Sequence, residues 1–204
     1  MMKRITAATR PYRPLLALAA TLPLAACISF GEDPPPTLMT LTAETPLGAG
    51  PGQTASAANM MAVLVPSAPQ ALMTQRVPVQ ASATGIAYLK NAQWVESPNR
   101  LFRNLLAETI SVRTGRVVND PRNFSLAPDT RLSGRLTSFG LDAAARAVVV
   151  TYDASLTRGE PGEIQARRFE ARVPVSAQTG SAVAVALNRA ANQVAVEVAD
   201  WVGR

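Results

Sequence analysis

From Arg131 to Val175 the chain is built on a period of two. In AARAVVVTYDASLTR, residues 144–158, Val148, Val150, Tyr152, Ala154 and Leu156 point one way, and Ala147, Val149, Thr151, Asp153 and Ser155 the other. EIQARRFEARVPV, residues 163–175, sets Phe169, Ala171, Val173 and Val175 against Arg168, Glu170 and Arg172. With RLSGRLTSFGLD, 131–142, these are three long strands on tight connections, and RGEPGE at 158–163 is the clearest hairpin turn. The pattern predicts a sheet with one covered face and one wetter face.

Two segments change to the helical period. In SPNRLFRNLLAETISVRTG, 97–115, Leu101, Leu105, Thr109 and Val112 share a face that Phe102, Leu106 and Ile110 widen. Ser97 is placed to cap it, Pro98 suits the first helical position and Gly115 suits a left-handed exit. In TGSAVAVALNRAANQVAVEVADWV, 179–202, the stripe is Val183, Leu187, Ala190, Val194, Val198 and Trp201, opposite Asn188, Arg189, Asn192 and Glu197. Its valines lower intrinsic propensity, so packing must hold this helix. Val185 and Val196 fall off the stripe and, with Arg189, mark a candidate partner surface.

Shorter extended pieces precede these elements. MAVLV, 61–65, stops at Pro66; VPVQAS, 77–82, follows; IAYL, 86–89, leads through KNA, read as a turn, to Gln93 and Trp94. The expected fold is α+β, a two-layer sandwich of a mostly antiparallel sheet of four or more strands against two main helices. Strand order is left open, because alternation identifies faces better than neighbours.

The N-terminal quarter has a different character. MMKRITAATRPYR carries four basic residues and no acid, and PLLALAATLPLAA is an apolar run too short to span a bilayer. It ends at Leu24, Ala25, Ala26 and Cys27, which read as a lipoprotein cleavage motif: small residues for the peptidase pocket, then a sulfur to accept a diacylglyceryl group. Cys27 is the only cysteine, so acylation accounts for it without a disulfide. The expected organisation is a signal peptide at 1–26, a lipidated N-terminus and flexible tether at 27–59, and one periplasmic domain at 60–204. Within the tether, LMTLTA is the exception, since Met39 and Leu41 alternate as in an edge strand. Ile28 and Ser29 stand where retained lipoproteins carry Asp, and lipoproteins resembling this one are sorted to the outer membrane.

Removing the signal also changes the charge. The whole chain has 20 basic and 14 acidic residues, or +6; residues 1–26 hold four of the basic ones, so 16 against 14 remain, or +2. A nucleic-acid partner loses its main support. Arg100, Arg103, Arg113, Arg116 and Arg122 make the densest basic run, read as a solvated helix end and loop.

There is no histidine, which excludes imidazole triads and histidine-ligated metals, and an acylated Cys27 is no nucleophile. Asp120 and Asp129 lack the dense oxygen loop that calcium needs. No enzyme activity, metal or cofactor is expected.

IAYLKNAQWVESPNRLFRNLLAETI resembles the ABC-type transport auxiliary lipoprotein family, which includes the lipoprotein of the paraquat-inducible operon. The family's tyrosine falls on Tyr88 and its tryptophan on Trp94, followed by Pro98 and the helix through Leu101 and Leu105; the resemblance continues through Leu132–Leu136 to Trp201. It implies an auxiliary role beside an ABC transporter and an MCE-domain protein that moves phospholipid or another hydrophobic molecule, with no catalytic residues. The domain would be held by acyl chains on the periplasmic face of the outer membrane, with homo-oligomerisation left open. A lipid-binding carrier or structural envelope lipoprotein without a transporter partner is the alternative.

Overall fold

The computed structural model describes residues 37–50, 56–119, 128–159 and 163–203. Within them the order is β1 (Met60–Val63), β2 (Arg76–Gln80), β3 (Ile86–Gln93), α1 (Pro98–Thr114), β4 (Val117–Asn119), β5 (Thr130–Asp142), β6 (Ala147–Arg158), β7 (Glu163–Pro174) and α2 (Gly180–Val202).

β5 is the axis of the sheet. Along one edge β6 pairs antiparallel from Thr130↔Arg158 to Asp142↔Ala147, and β7 continues antiparallel beside β6. β1 and β2 are both parallel to β5: Met61 lies beside Thr130 and Val79 beside Leu141, with a bridge from Ser67 to Arg135 between them. β4 adds parallel to β1, and β3 antiparallel to β2.

The α+β class and the two helices are as expected, but the mostly antiparallel sheet is not: the seven-stranded sheet is mixed, with parallel pairings at β1/β4, β1/β5 and β2/β5. The reason is physical. Parallel neighbours are joined by long crossovers, so the parallel strands lie far apart along the chain. β1 and β4 are also too short to show a period.

The predicted faces are the observed ones. Val148, Val150, Tyr152, Ala154 and Leu156 of β6 are buried, as are Phe169, Ala171 and Val173 of β7, while Arg168, Glu170 and Arg172 are exposed. In β5 the register slips between Leu136 and Ser138, so Thr137 is an extra residue. This bulge turns Phe139 and Leu141 inward on the same side as Leu132 and Leu136.

KNA also resolves as a bulge. Between Arg76↔Gln93 and Pro78↔Tyr88, β3 spends more residues than β2, and Asn91 sits at φ 52°. Asparagine tolerates the left-handed region, so a segment with turn chemistry stays inside a strand.

α1 leaves the sheet with Pro98 in its first turn and stops at Gly115, φ 68°. Ser97 occupies the capping position but makes no side-chain cap bond. α2 packs on β6, β7 and α1. Ala186, Ala190, Ala191, Ala195 and Ala199 are all buried on it, and their small side chains permit that close approach. A line of aromatic rings ties α1 to the sheet: Tyr152 meets Phe102 at 5.4 Å, Phe102 meets Phe139 at 6.5 Å, and Phe139 meets Trp94 at 5.6 Å. None of the described helices is long and apolar enough to cross a membrane.

Candidate functional site

Residues 37–47, expected as tether, lie across α2. The Met39 N–H donates to the Gln93 carbonyl at 2.8 Å, and the Val95 N–H donates to the Met39 carbonyl at 2.9 Å, which makes one parallel bridge beyond β3. Farther on, the Thr42 N–H donates to Asn188 Oδ1 and the Glu44 N–H to Asn192 Oδ1, each at 2.9 Å. Asn192 Nδ2 returns a bond to the Thr42 carbonyl at 2.9 Å, and the Leu47 N–H reaches Glu108 Oε1 at 2.9 Å. Met39, Leu41 and Ala43 pack partly buried on the core.

Asn188 and Asn192 are four apart, so both amides project from one helical face. Sequence reasoning placed them on a polar side facing water. Asn192 is instead 2% exposed, and its amide is satisfied by the arm's main chain. The sequence contains both halves of the contact, an alternating arm and an asparagine pair, but nothing that joins them across some 150 residues.

The residues of the family resemblance form packing rather than a pocket. Trp94, Pro98, Leu101 and Leu105 are buried, and half-buried Trp201 lies 5.6 Å from the Phe169 ring. Tyr88 stands apart, with the Arg76 guanidinium 4.3 Å above its ring. Cys27 and the motif Leu24, Ala25 and Ala26 lie outside the described residues.

The arm divides the candidate partner surface. Val185, 65% exposed, and Arg189 border an open groove of about 420 Å³ against Val173 and Val175 at the end of β7. Val196 lies on the other side of the crossing, in a groove with Glu44, Thr45 and Arg113. A third, more apolar groove of about 250 Å³ lies between the 3₁₀ turn Gln70–Leu72 and β5, bordered by Pro78, Ile86 and Val149.

The basic run is largely absorbed by the fold. Arg113 pairs with Asp200 at 2.6 Å, Arg116 bonds Thr130 Oγ1, and Arg103 bonds the Val63 carbonyl; Arg122 lies outside the described residues. Asp120 also lies outside them. Among the described residues no cluster of three or more potential metal ligands occurs.

On the wet face Arg168 holds Asp153 through two bonds of 2.6 and 2.9 Å, and this bonding lowers the Asp153 carboxyl below its ordinary range. The Thr151 hydroxyl, then Arg172, do the same for Glu170. A carboxyl depressed in the folded state stabilises above its unfolded pKa, about 3.9 for Asp, and loses that contribution as pH falls through the folded value. Thermal melts between pH 6 and 2 are therefore expected to show an acid loss below pH ~4 that Asp153→Asn partly removes. The effect is small and salt-sensitive because both side chains are more than a third exposed. Identical acid profiles for the two proteins would exclude this linkage.

The fold has counterparts among solved structures. A crystal structure of a Xanthomonas campestris protein of the DUF330 family superposes with TM-score 0.65 at 21% identity, covering 81% of this chain and 92% of that one. A second, described as an uncharacterized protein, gives TM-score 0.62 at 21% identity over 71% and 93%. No curated protein matches the chain significantly. The sequence pattern of one family matches residues 40–199, from inside the docked arm to the last turns of α2. The chain belongs to the family of ABC-type transport auxiliary lipoprotein components.

Proposed function

We propose that the protein is a lipoprotein anchored through Cys27 to the periplasmic face of the outer membrane, where it docks an ABC/MCE-type system that moves phospholipid or another hydrophobic molecule. The role is positional, and no residue is assigned a catalytic task. The observation that carries this reading is the family match over residues 40–199, together with an acylation motif just upstream of the arm. Acyl chains gain about 0.8 kcal/mol per buried CH₂, so two or three make a lasting anchor.

The arm sets how far the domain stands from the membrane. Eleven residues, Ile28 to Leu38, separate Cys27 from Met39, the first bonded residue of the arm, and at about 3.4 Å each they reach at most ~37 Å. A tether running to Asn59 would reach roughly 110 Å by the same measure. A docked arm therefore keeps the domain near the membrane, and a transport component must come to it.

The docking surface assigned here is the groove beside Val185 and Arg189, the more exposed part of the predicted patch. The test is photocrosslinking in cells from a reactive residue at Val185, with Cys27→Ala as control. Recovery of an MCE-domain or ABC-transporter subunit, lost or strongly reduced in C27A, is the expected result. Efficient crosslinking and wild-type transport by an unanchored C27A protein would overturn the anchoring.

A carrier role is favoured by one feature, the apolar groove near Ile86. Its volume of about 250 Å³ lies below the roughly 300–1,000 Å³ of ordinary ligand pockets, which ranks docking ahead of carriage. Stoichiometric lipid retained by protein lacking its acyl anchor would reverse that order.

A further inference from the structure

We propose that the rim of the domain carrying Leu38, Leu64, Val65, Met73 and Val95 is a membrane-contact surface, seated on the phospholipid headgroups of the leaflet that holds the acyl chains. The inference rests on the anchoring through Cys27 proposed above and adds a second, non-covalent contact with the same bilayer.

Nine large apolar side chains are exposed among the described residues, and these five, between 37% and 51% exposed, share one rim. The main chain brings them together. The Trp94 N–H donates to the Gln75 carbonyl at 2.7 Å and Gln75 Nε2 donates to the Val95 carbonyl at 2.8 Å, which sets Met73 and Val95 on neighbouring segments. The Val95 N–H donates to the Met39 carbonyl, so Leu38 stands next to them. Asn99 Nδ2 donates to the Pro66 carbonyl at 3.1 Å and holds Leu64 and Val65 beside the start of α1. Single exposed apolar residues are ordinary, whereas a group on one rim marks a contact surface.

These side chains are not exposed through loose packing. Their chain neighbours Val63, Leu72 and Trp94 are buried, and Met39 packs against the core. The inward residues fix the backbone, so the outward ones stay in water unless something covers them. Residues 64–75 include no charged side chain. Exposed charges of both signs border the rim, Glu96 with Arg76 and Arg100. Attraction to anionic headgroups is therefore slight, and apolar burial must supply the contact.

The anchor selects lipid as the occupant. The chain from Cys27 enters the domain at Leu38, within the rim, after at most ~37 Å of extended chain. Acyl chains inserted there bring this rim to the bilayer ahead of the far edge of the sheet. From β3 and β2 the sheet continues through β5 and β6 to β7, where the groove of Val185 and Arg189 lies. Seating the rim leaves that groove facing the periplasm, open to a transport component.

The test uses the mature lipidated protein in vesicles of phosphatidylethanolamine with a minor share of phosphatidylglycerol. Cys27 is the only cysteine and its sulfur is acylated, so a cysteine introduced elsewhere is a unique labelling position. An environment-sensitive fluorophore is attached at Met73→Cys or Val95→Cys, and for comparison at Val185→Cys or Ile164→Cys, both on the β7 side and more exposed than the rim. A phospholipid carrying a nitroxide is expected to quench the rim labels about threefold more than the controls, since interfacial apolar side chains sit roughly 5–10 Å into the headgroup boundary. Equal quenching, or stronger quenching at Val185, overturns the contact and leaves the anchor standing. A disulfide between two copies of unlabelled Met73→Cys, without quenching of the labelled protein, assigns the rim to self-association and also overturns it. Protein that washes off the vesicles has no anchor, and the contact that rests on it falls too. Retention on the vesicles reads the anchor and quenching reads the seat, so failure of the contact alone is separately visible.

Discussion

Trp94→Ala is expected to lower the unfolding free energy by about 3–5 kcal/mol, the range for truncating a large buried aromatic. The side chain is 0% exposed and meets Phe139 edge-on, at 5.6 Å and 65°. Its main chain is a junction: the Trp94 N–H donates to the Gln75 carbonyl at 2.7 Å, and Met39 bridges its other side. Alanine would leave a cavity where the β3 end, α1 and β5 converge, and would loosen the arm that bridges there.

The indole has a cost of its own, since Nε1 is buried with no hydrogen-bond partner among the described residues. An unpaired buried donor costs about 1–3 kcal/mol. Trp94→Phe, which removes that donor and keeps an aromatic ring, is therefore expected to cost less than half as much as alanine. Urea melts of both variants give the comparison. A W94A cost below about 1 kcal/mol would mean that this ring is not the packed centre described here.

Gly134→Ala is the second large effect, expected at about 3 kcal/mol or more, at or beyond the usual range for overpacking. A Cβ on Gly134 would overlap the Asp153 carbonyl oxygen and lie 2.7 Å from the Tyr152 ring. That ring crosses the glycine to donate its hydroxyl to the Ser133 carbonyl at 2.9 Å, and it also packs against Phe102. The methyl group would force Tyr152 out of both contacts and push β5 away from β6, where backbone atoms have no rotamer to yield. Burial also raises the Tyr152 phenol pKa above its ordinary range, so the hydroxyl remains a donor at neutral pH.

A control separates space from backbone conformation. Gly115 has a left-handed φ of 68°, but nothing lies within 4 Å of a Cβ built there. Gly115→Ala is expected to cost only about 1 kcal/mol, the conformational part alone. Equal melting temperatures for G134A and G115A would refute the close approach as the cause.

Faces and helix ends were legible because they are local. A period of two specifies what β6 and β7 turn inward, and Pro98 and Gly115 bound α1 by their own backbone preferences, whatever lies nearby. The anchoring proposal is likewise local: it rests on a basic start, a short apolar run and a cysteine after small residues within one stretch of chain.

Whatever depends on partners distant in the chain came from the tertiary structure alone. Parallel placement of β1 and β2 on β5 is a choice between edges that carry the same alternation. Asn192 looked like a solvent-facing residue until the arm, 148 positions away, was seen to satisfy it. The same docking shortened the expected tether and split Val185 and Arg189 from Val196. A sequence pattern records which side of an element prefers to leave water, since that is a property of each residue and its near neighbours. Which surface meets it is decided by packing and hydrogen-bond geometry, and those exist only when the whole chain is folded.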